Sequence, residues 1–183
     1  MRQFTLIRVA AVTAAALVLT CAALIGDCRP RKSKYPRDMT VPVPQFSIAV
    51  TLSENARQRL ESMHESVLVI AYFDGDPLPG QGRDNAPFRD VFLGNDQKLI
   101  DDKNVATFDT TKVSQSNWSR LANKDYFVTI NVVSARKASK NNLLFCGVPE
   151  NRLSTFAGKT TEVSCDLIDE RFPVLKSLGS SPK

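Results

Sequence analysis

The chain has 183 residues and a mass of 20.2 kDa, the length of one domain. An apolar fraction of 43% beside 23% charged residues is ordinary for a folded protein, and excludes a disordered tail, a collagen-like fibre and a polytopic membrane protein. With one histidine, a multi-histidine metal site is excluded as well.

The net charge of +5 is unevenly placed. Seven of the 24 basic residues (Arg2, Arg8, Arg29, Arg31, Lys32, Lys34 and Arg37) fall in residues 1–37, beside a single acid, Asp27. Residues 38–183 then carry 17 basic against 18 acidic groups. The body of the protein lacks the basic excess that nucleic-acid binding needs, so no nucleic-acid partner is expected.

Residues 1–28 read as a signal peptide or membrane anchor. Arg2 and Arg8 flank the start of an apolar run, Val9 to Ile25, broken only by Thr13, Thr20 and Cys21. Its 17 residues are short for a spanning helix and long for a signal core. Thr20-Cys21-Ala22 and Cys21-Ala22-Ala23 both offer small-x-small cleavage contexts. Val18-Leu19-Thr20-Cys21 approximates a lipobox and makes Cys21 the candidate lipidation site, although Thr20 stands where Gly, Ala or Ser is usual. A lipid there would hold the chain at a membrane, and the basic run 29–37 would add attraction to anionic headgroups. Positive charge directly after the apolar run opposes export, so a cleaved segment and an uncleaved anchor both stay open.

Residues 29–45 form a basic linker with Pro30, Pro36, Pro42 and Pro44, a composition that favours an extended spacer. The folded domain is expected over 46–171, with a flexible tail at 172–183. Strand patterns dominate that domain. Phe46, Ile48, Val50 and Leu52 alternate with Ser47, Ala49 and Thr51. A short helix follows, capped by Ser53, with Leu52, Ala56, Leu60 and Met63 on one face. Val67 to Phe73 is a continuous apolar run that suits a central strand. Phe88–Gly94, Val105–Phe108, 126–134, Leu143–Cys146 and 161–167 complete about seven strands. Turn signals between them suggest a single antiparallel β-sandwich, with a barrel as the competing closure.

Cys146 and Cys165 lie 19 residues apart in the body. An exported chain keeps disulfides, so these two are the natural pair; two free buried thiols are the other reading. Alternation places Cys165 on the inner face of its strand.

The remaining chemistry is sparse. His64 follows the helix and reads as a solvated turn residue; no nucleophile elbow accompanies it. The segment 74–85 carries Asp74, Asp76 and Asp84 among glycines and prolines. It reads as turn chemistry, as a contact loop, or less readily as a calcium site, since it lacks the acidic closing position of an EF-hand. Asp101-Asp102 reads as a solvated hairpin. Trp118 is either a lid on the core or an interface anchor. Arg136, Lys137 and Lys140 form a basic turn. No catalytic set, cofactor or metal is expected.

The apolar leader, candidate lipid cysteine, proline linker and β-rich body together resemble the small envelope proteins of proteobacteria, some of which have transthyretin-like or immunoglobulin-like sandwiches. The resemblance implies location and fold and carries no functional residue. The expected function is a non-enzymatic protein-binding module of the periplasm or cell envelope, in an inhibitor, immunity or assembly role. Its partner would be another envelope protein, with the membrane engaged through the N-terminal segment. The alternative is a small-ligand or carbohydrate-binding module using Tyr72, Trp118 and the 74–85 loop; a hydrolase ranks third. Residues 1–45 fused to alkaline phosphatase should give an active enzyme in a bacterial host. An inactive fusion retained in the cytoplasm would remove the export reading.

Overall fold

A computed structural model describes residues 39–81, 89–100 and 104–172. The chain divides into two compact units, Met1–Arg37 and Asp38–Lys183. The first unit, with the expected signal segment and Cys21, lies outside the described residues. So do Asp84, the Asp101-Asp102 hairpin and residues 173–183 of the expected tail.

The second unit is mainly β. Its described strands are β1 (Thr40–Pro42), β2 (Phe46–Leu52), β3 (Val67–Gly75), β4 (Val91–Leu99), β5 (Val105–Phe108), β6 (Lys112–Ser114), β7 (Phe127–Ser134), β8 (Leu144–Cys146), β9 (Glu150–Arg152) and β10 (Thr160–Leu167). Four helices join them: α1 (Glu54–Met63), α2 (Gln115–Ser119), α3 (Leu153–Phe156) and α4 (Ile168–Arg171). One four-stranded sheet has the order β5-β2-β10-β8, a second the order β4-β3-β7-β9, and β1 pairs with β6 in a two-stranded ribbon.

The periodicity carries through where strands are long. Phe46, Ile48 and Val50 are buried on β2, and Val67, Val69, Ala71 and Phe73 on β3. Val128, Ile130 and Val132 do the same on β7. The inner residues of both larger sheets enter one hydrophobic core. Phe46 sits at its centre: its ring stacks on Phe108 at 4.8 Å and meets Phe73 edge-on at 6.5 Å and Phe156 at 5.7 Å. Offset and edge-on aromatic pairs of this kind contribute beyond the area they bury.

Several expectations need correction. The strands number ten among the described residues, not about seven. The three additions, β1, β6 and β9, have three residues each, too few for a periodic signal. β1 lies within the stretch read as linker. The pairing is not wholly antiparallel, because β2 and β10 run parallel from Ser47↔Thr160 to Leu52↔Cys165. β4 begins later and ends later than Phe88–Gly94. Gly94, which reads as a stop, adopts φ +137 beside a register shift opposite Phe73/Asp74. Only glycine tolerates that conformation readily, and the strand resumes beyond it because Asn95–Leu99 still pairs with Leu68–Tyr72.

The helix α1 matches its sequence signals. Ser53 caps its first turn, accepting from the Ala56 N–H at 3.2 Å, and Ala56 and Leu60 are buried. His64 ends it in a left-handed conformation, φ 53, as a C-cap.

Cys146 and Cys165 are directly opposite on β8 and β10 and form a disulfide, with Cα atoms 4.1 Å apart. The bond closes a loop of sequence separation 19. By chain-entropy reasoning it contributes about 3 kcal/mol. Cys146→Ser should therefore lower the melting temperature by roughly 10 °C, measured by circular dichroism. A change below the error of the melt would show that the fold does not depend on the cross-link.

Candidate functional site

Asp74 and Asp76, read together as one loop, are separated by the fold. Asp74 still belongs to β3 and is fully buried, whereas Asp76 is exposed just beyond the strand. The register shift at Phe73/Asp74 breaks the alternation and leaves Phe73, Asp74 and Gly75 all buried. Asp74 pairs in register with Phe127 of β7. Arg89 lies over the Phe127 ring at 3.5 Å and Arg152 at 4.0 Å. The Arg89 guanidinium bridges two acids, with Nη2 donating to Glu150 and Nε standing 3.9 Å from Asp74.

That bridge satisfies Glu150 and leaves Asp74 short. Neither Asp74 oxygen nor the Arg89 Nε has a hydrogen-bond partner. The Arg89 backbone N–H faces the carboxylate but falls outside good hydrogen-bond geometry. Burial pushes the Asp74 carboxyl up to about 6, and the Arg89 charge offsets this only in part. Asp74 is thus a buried, incompletely paired carboxylate, while Asp76 is exposed; among the described residues no group of three metal-ligating side chains converges.

The start of the 74–85 loop is held against the segment after Trp118. Pro77 bridges Leu121, Leu78 N–H donates to the Arg120 carbonyl, and Ala122 N–H donates to that of Asp76. Trp118 itself, on α2, packs half-buried against the core. Lys124 Nζ lies 4.6 Å over its ring and donates to the Trp118 carbonyl at 2.7 Å. Trp118 is thus packed partly against the core, with Lys124 over its ring.

Two features outside the expected residues stand out. The first is Glu65. Its carboxylate is buried and accepts four backbone N–H groups, from Ser66, Lys137, Ala138 and Ser139, at 2.8–3.1 Å. Burial alone would raise its pKa; the four N–H donors overcome that and hold it below the usual carboxylate range. The basic turn 136–140 is therefore tied to the end of α1 through its backbone, while Arg136, Lys137 and Lys140 remain exposed. The second is an aromatic patch at the edge of the β5-β2-β10-β8 sheet. Phe145 of β8 is 41% exposed and meets Phe172 (44% exposed) edge-on at 5.3 Å. Val148, three residues on, is 57% exposed. A sequence signal for Phe145 existed: with Leu144 inward and Cys146 in the cross-link, alternation sends Phe145 outward. Nothing in the sequence places Phe172 beside it, because that contact depends on how α4 leaves β10.

No family model, curated protein or solved structure matches this chain.

The two buried carboxylates have opposite pH signatures. Asp74 has a folded pKa above its unfolded value, so in the folded state it keeps its proton while the unfolded chain loses it. Stability contributed there should fall as pH rises from about 4 to about 6 and then level off. Glu65 has a depressed folded pKa, so its stabilisation is present above about 4.5 and is lost as pH falls through the folded value. Asp74→Asn should raise stability at pH 7 by about 1–2 kcal/mol and flatten the pH 4–6 slope. Glu65→Ala should cost about 2 kcal/mol or more at pH 7, and the difference should shrink as pH falls below about 4.5. Urea titrations across pH 3–8 check both; a stability loss for Asp74→Asn at pH 7 would show that its pairing with Arg89 outweighs its burial.

Proposed function

We propose that the chain is an exported, non-enzymatic protein-binding module of the cell envelope, tethered through its N-terminal segment, whose two four-stranded sheets form the layers of one β-sandwich. The observation that carries the binding reading is the Phe145–Phe172 pair. Two large aromatic rings in mutual contact at a sheet edge leave apolar area in water that a partner would remove at about 25 cal/mol per Å². Arg171 lies 5.8 Å from the Phe145 ring centre, giving the patch the aromatic-plus-arginine character of interface anchors. β8 is the last strand of its sheet, but the Asn142 carboxamide already takes both the N–H and the carbonyl of Leu144, so a partner would meet the side chains of the patch rather than add a strand.

The rest of the chemistry favours binding over catalysis. Cys146 and Cys165 are joined to each other, and His64, the single histidine, ends a helix with its backbone and, among the described residues, has no nucleophile hydrogen-bonded to its ring. An inhibitor, an immunity protein and an assembly accessory would each use one such docking face on another envelope protein.

A photo-crosslinking residue at position 145 should give one discrete adduct with an envelope protein in intact cells. The same residue at position 51, exposed on β2, should not. Phe172→Ser should abolish the adduct with little change in melting temperature. Equal crosslinking from both positions would remove the Phe145 face as the docking site.

A further inference from the structure

Between α1, α4 and the loop 139–143 lie two depressions of about 410 and 290 Å³. Both are lined by Arg59, Leu167 and Asp169, so they form one continuous groove. It shares no lining residue with the Phe145–Phe172 patch and goes beyond the docking reading.

The walls of this groove are pinned by their own polar groups. Glu170 accepts from the Ser53 hydroxyl and the Leu167 N–H, each at 3.0 Å, and from the Asn55 amide, which ties α1 to α4. The Asn142 carboxamide oxygen accepts from the Ser134 and Leu144 backbones, and its nitrogen donates to the Leu144 carbonyl. Ser139 is held by Glu65 through its N–H, and its hydroxyl donates to the Asn141 carbonyl. Each of these side chains is committed to holding a wall in place.

Three side chains are left over. Among the described residues, Arg59 and Asp169 make no ion pair with each other or with any other group, and the Asn141 carboxamide has no partner. The groove thus presents one cation, one anion and one neutral amide from pinned walls, with Leu143, Leu167 and Ile168 as apolar lining. Two exposed, opposite charges that line one groove without pairing suit a ligand that carries both charges and spans between them. A sugar ring is a poorer match, because no aromatic side chain lines the groove to stack on it.

We propose that this groove binds a zwitterionic ligand, an amino acid or short peptide with a free carboxylate on Arg59 and a free amine on Asp169. The Asn141 carboxamide serves a peptide group between the two ends, and small aliphatic side chains rest on the leucines and Ile168. Both charged side chains are exposed, so each contact is screened and affinity is modest and salt-sensitive.

The test is titration of the isotope-labelled full chain, purified in detergent, with dialanine, its N-acetyl form and its C-terminal amide. Dialanine should give saturable amide shifts clustered at Arg59, Asn141 and Asp169. Each blocked form should bind roughly fivefold more weakly. Arg59→Gln should abolish the preference for dialanine over its C-amide, and Asp169→Asn the preference over its N-acetyl form. Both substitutions are on the surface, and unchanged melting curves would confirm intact folding. The proposal is overturned if dialanine gives no saturable shift, if the blocked forms bind as well, or if either substitution leaves both preferences intact. None of these outcomes bears on crosslinking from position 145.

Discussion

The pairing of β10 with β2 is the constraint on which the rest of the unit depends. It brings residues 47 and 160 into register across most of the domain, in the parallel sense, at the centre of one sheet. Closing so long a loop costs chain entropy that no local contact repays. The return comes from the inner face, where Ile48 and Val50 of β2 are joined by Val163 and Cys165 of β10, all buried. On its other side β10 receives β8, and the disulfide makes that contact permanent under oxidising conditions. With β10 in place, α4 leaves beside α1, and both the aromatic patch and the groove follow from that exit.

Glu65 and Asp74 show how differently the fold treats two buried carboxylates. Glu65 follows the left-handed turn at His64 and meets a loop whose backbone N–H groups converge on it. Its burial is compensated donor by donor. Asp74 is buried because a register shift turns it inward at the end of β3, and Arg89, 3.9 Å away, gives its closest hydrogen bond to Glu150 instead. A buried acid without hydrogen bonds is costly in its charged form, which is why the two groups respond to pH in opposite senses.

The same contrast between committed and uncommitted groups organises the surface. Around α1 and α4, Glu170, Asn55 and Asn142 are consumed in holding elements together, while Arg59, Asn141 and Asp169 are not. At the β8 edge, Leu144 enters the core and Cys146 the cross-link, while Phe145 is left to solvent with Phe172 against it. Exposed residues with no structural task are those available for a partner or a ligand.

Much of the fold was legible in the sequence. Period-two alternation in 46–52, 67–73 and 126–134 placed the inner faces of β2, β3 and β7, because burial of one face of a long strand imposes that period. Ser53 marked the start of α1, and the parity of Cys165 pointed its sulfur inward. Three-residue strands such as β1, β6 and β9 left no period to read. The candidate site was legible only in fragments. Asp74 and Asp76 are two residues apart and differ in burial because of a register shift opposite a glycine in another strand. Trp118 is half-buried because its helix packs on the core. The groove joins residues 59, 141 and 169, and the patch joins 145 and 172. Local sequence determines propensity and face; which faces meet is decided by long-range pairing, whose energy is spread over contacts that no short stretch of sequence contains.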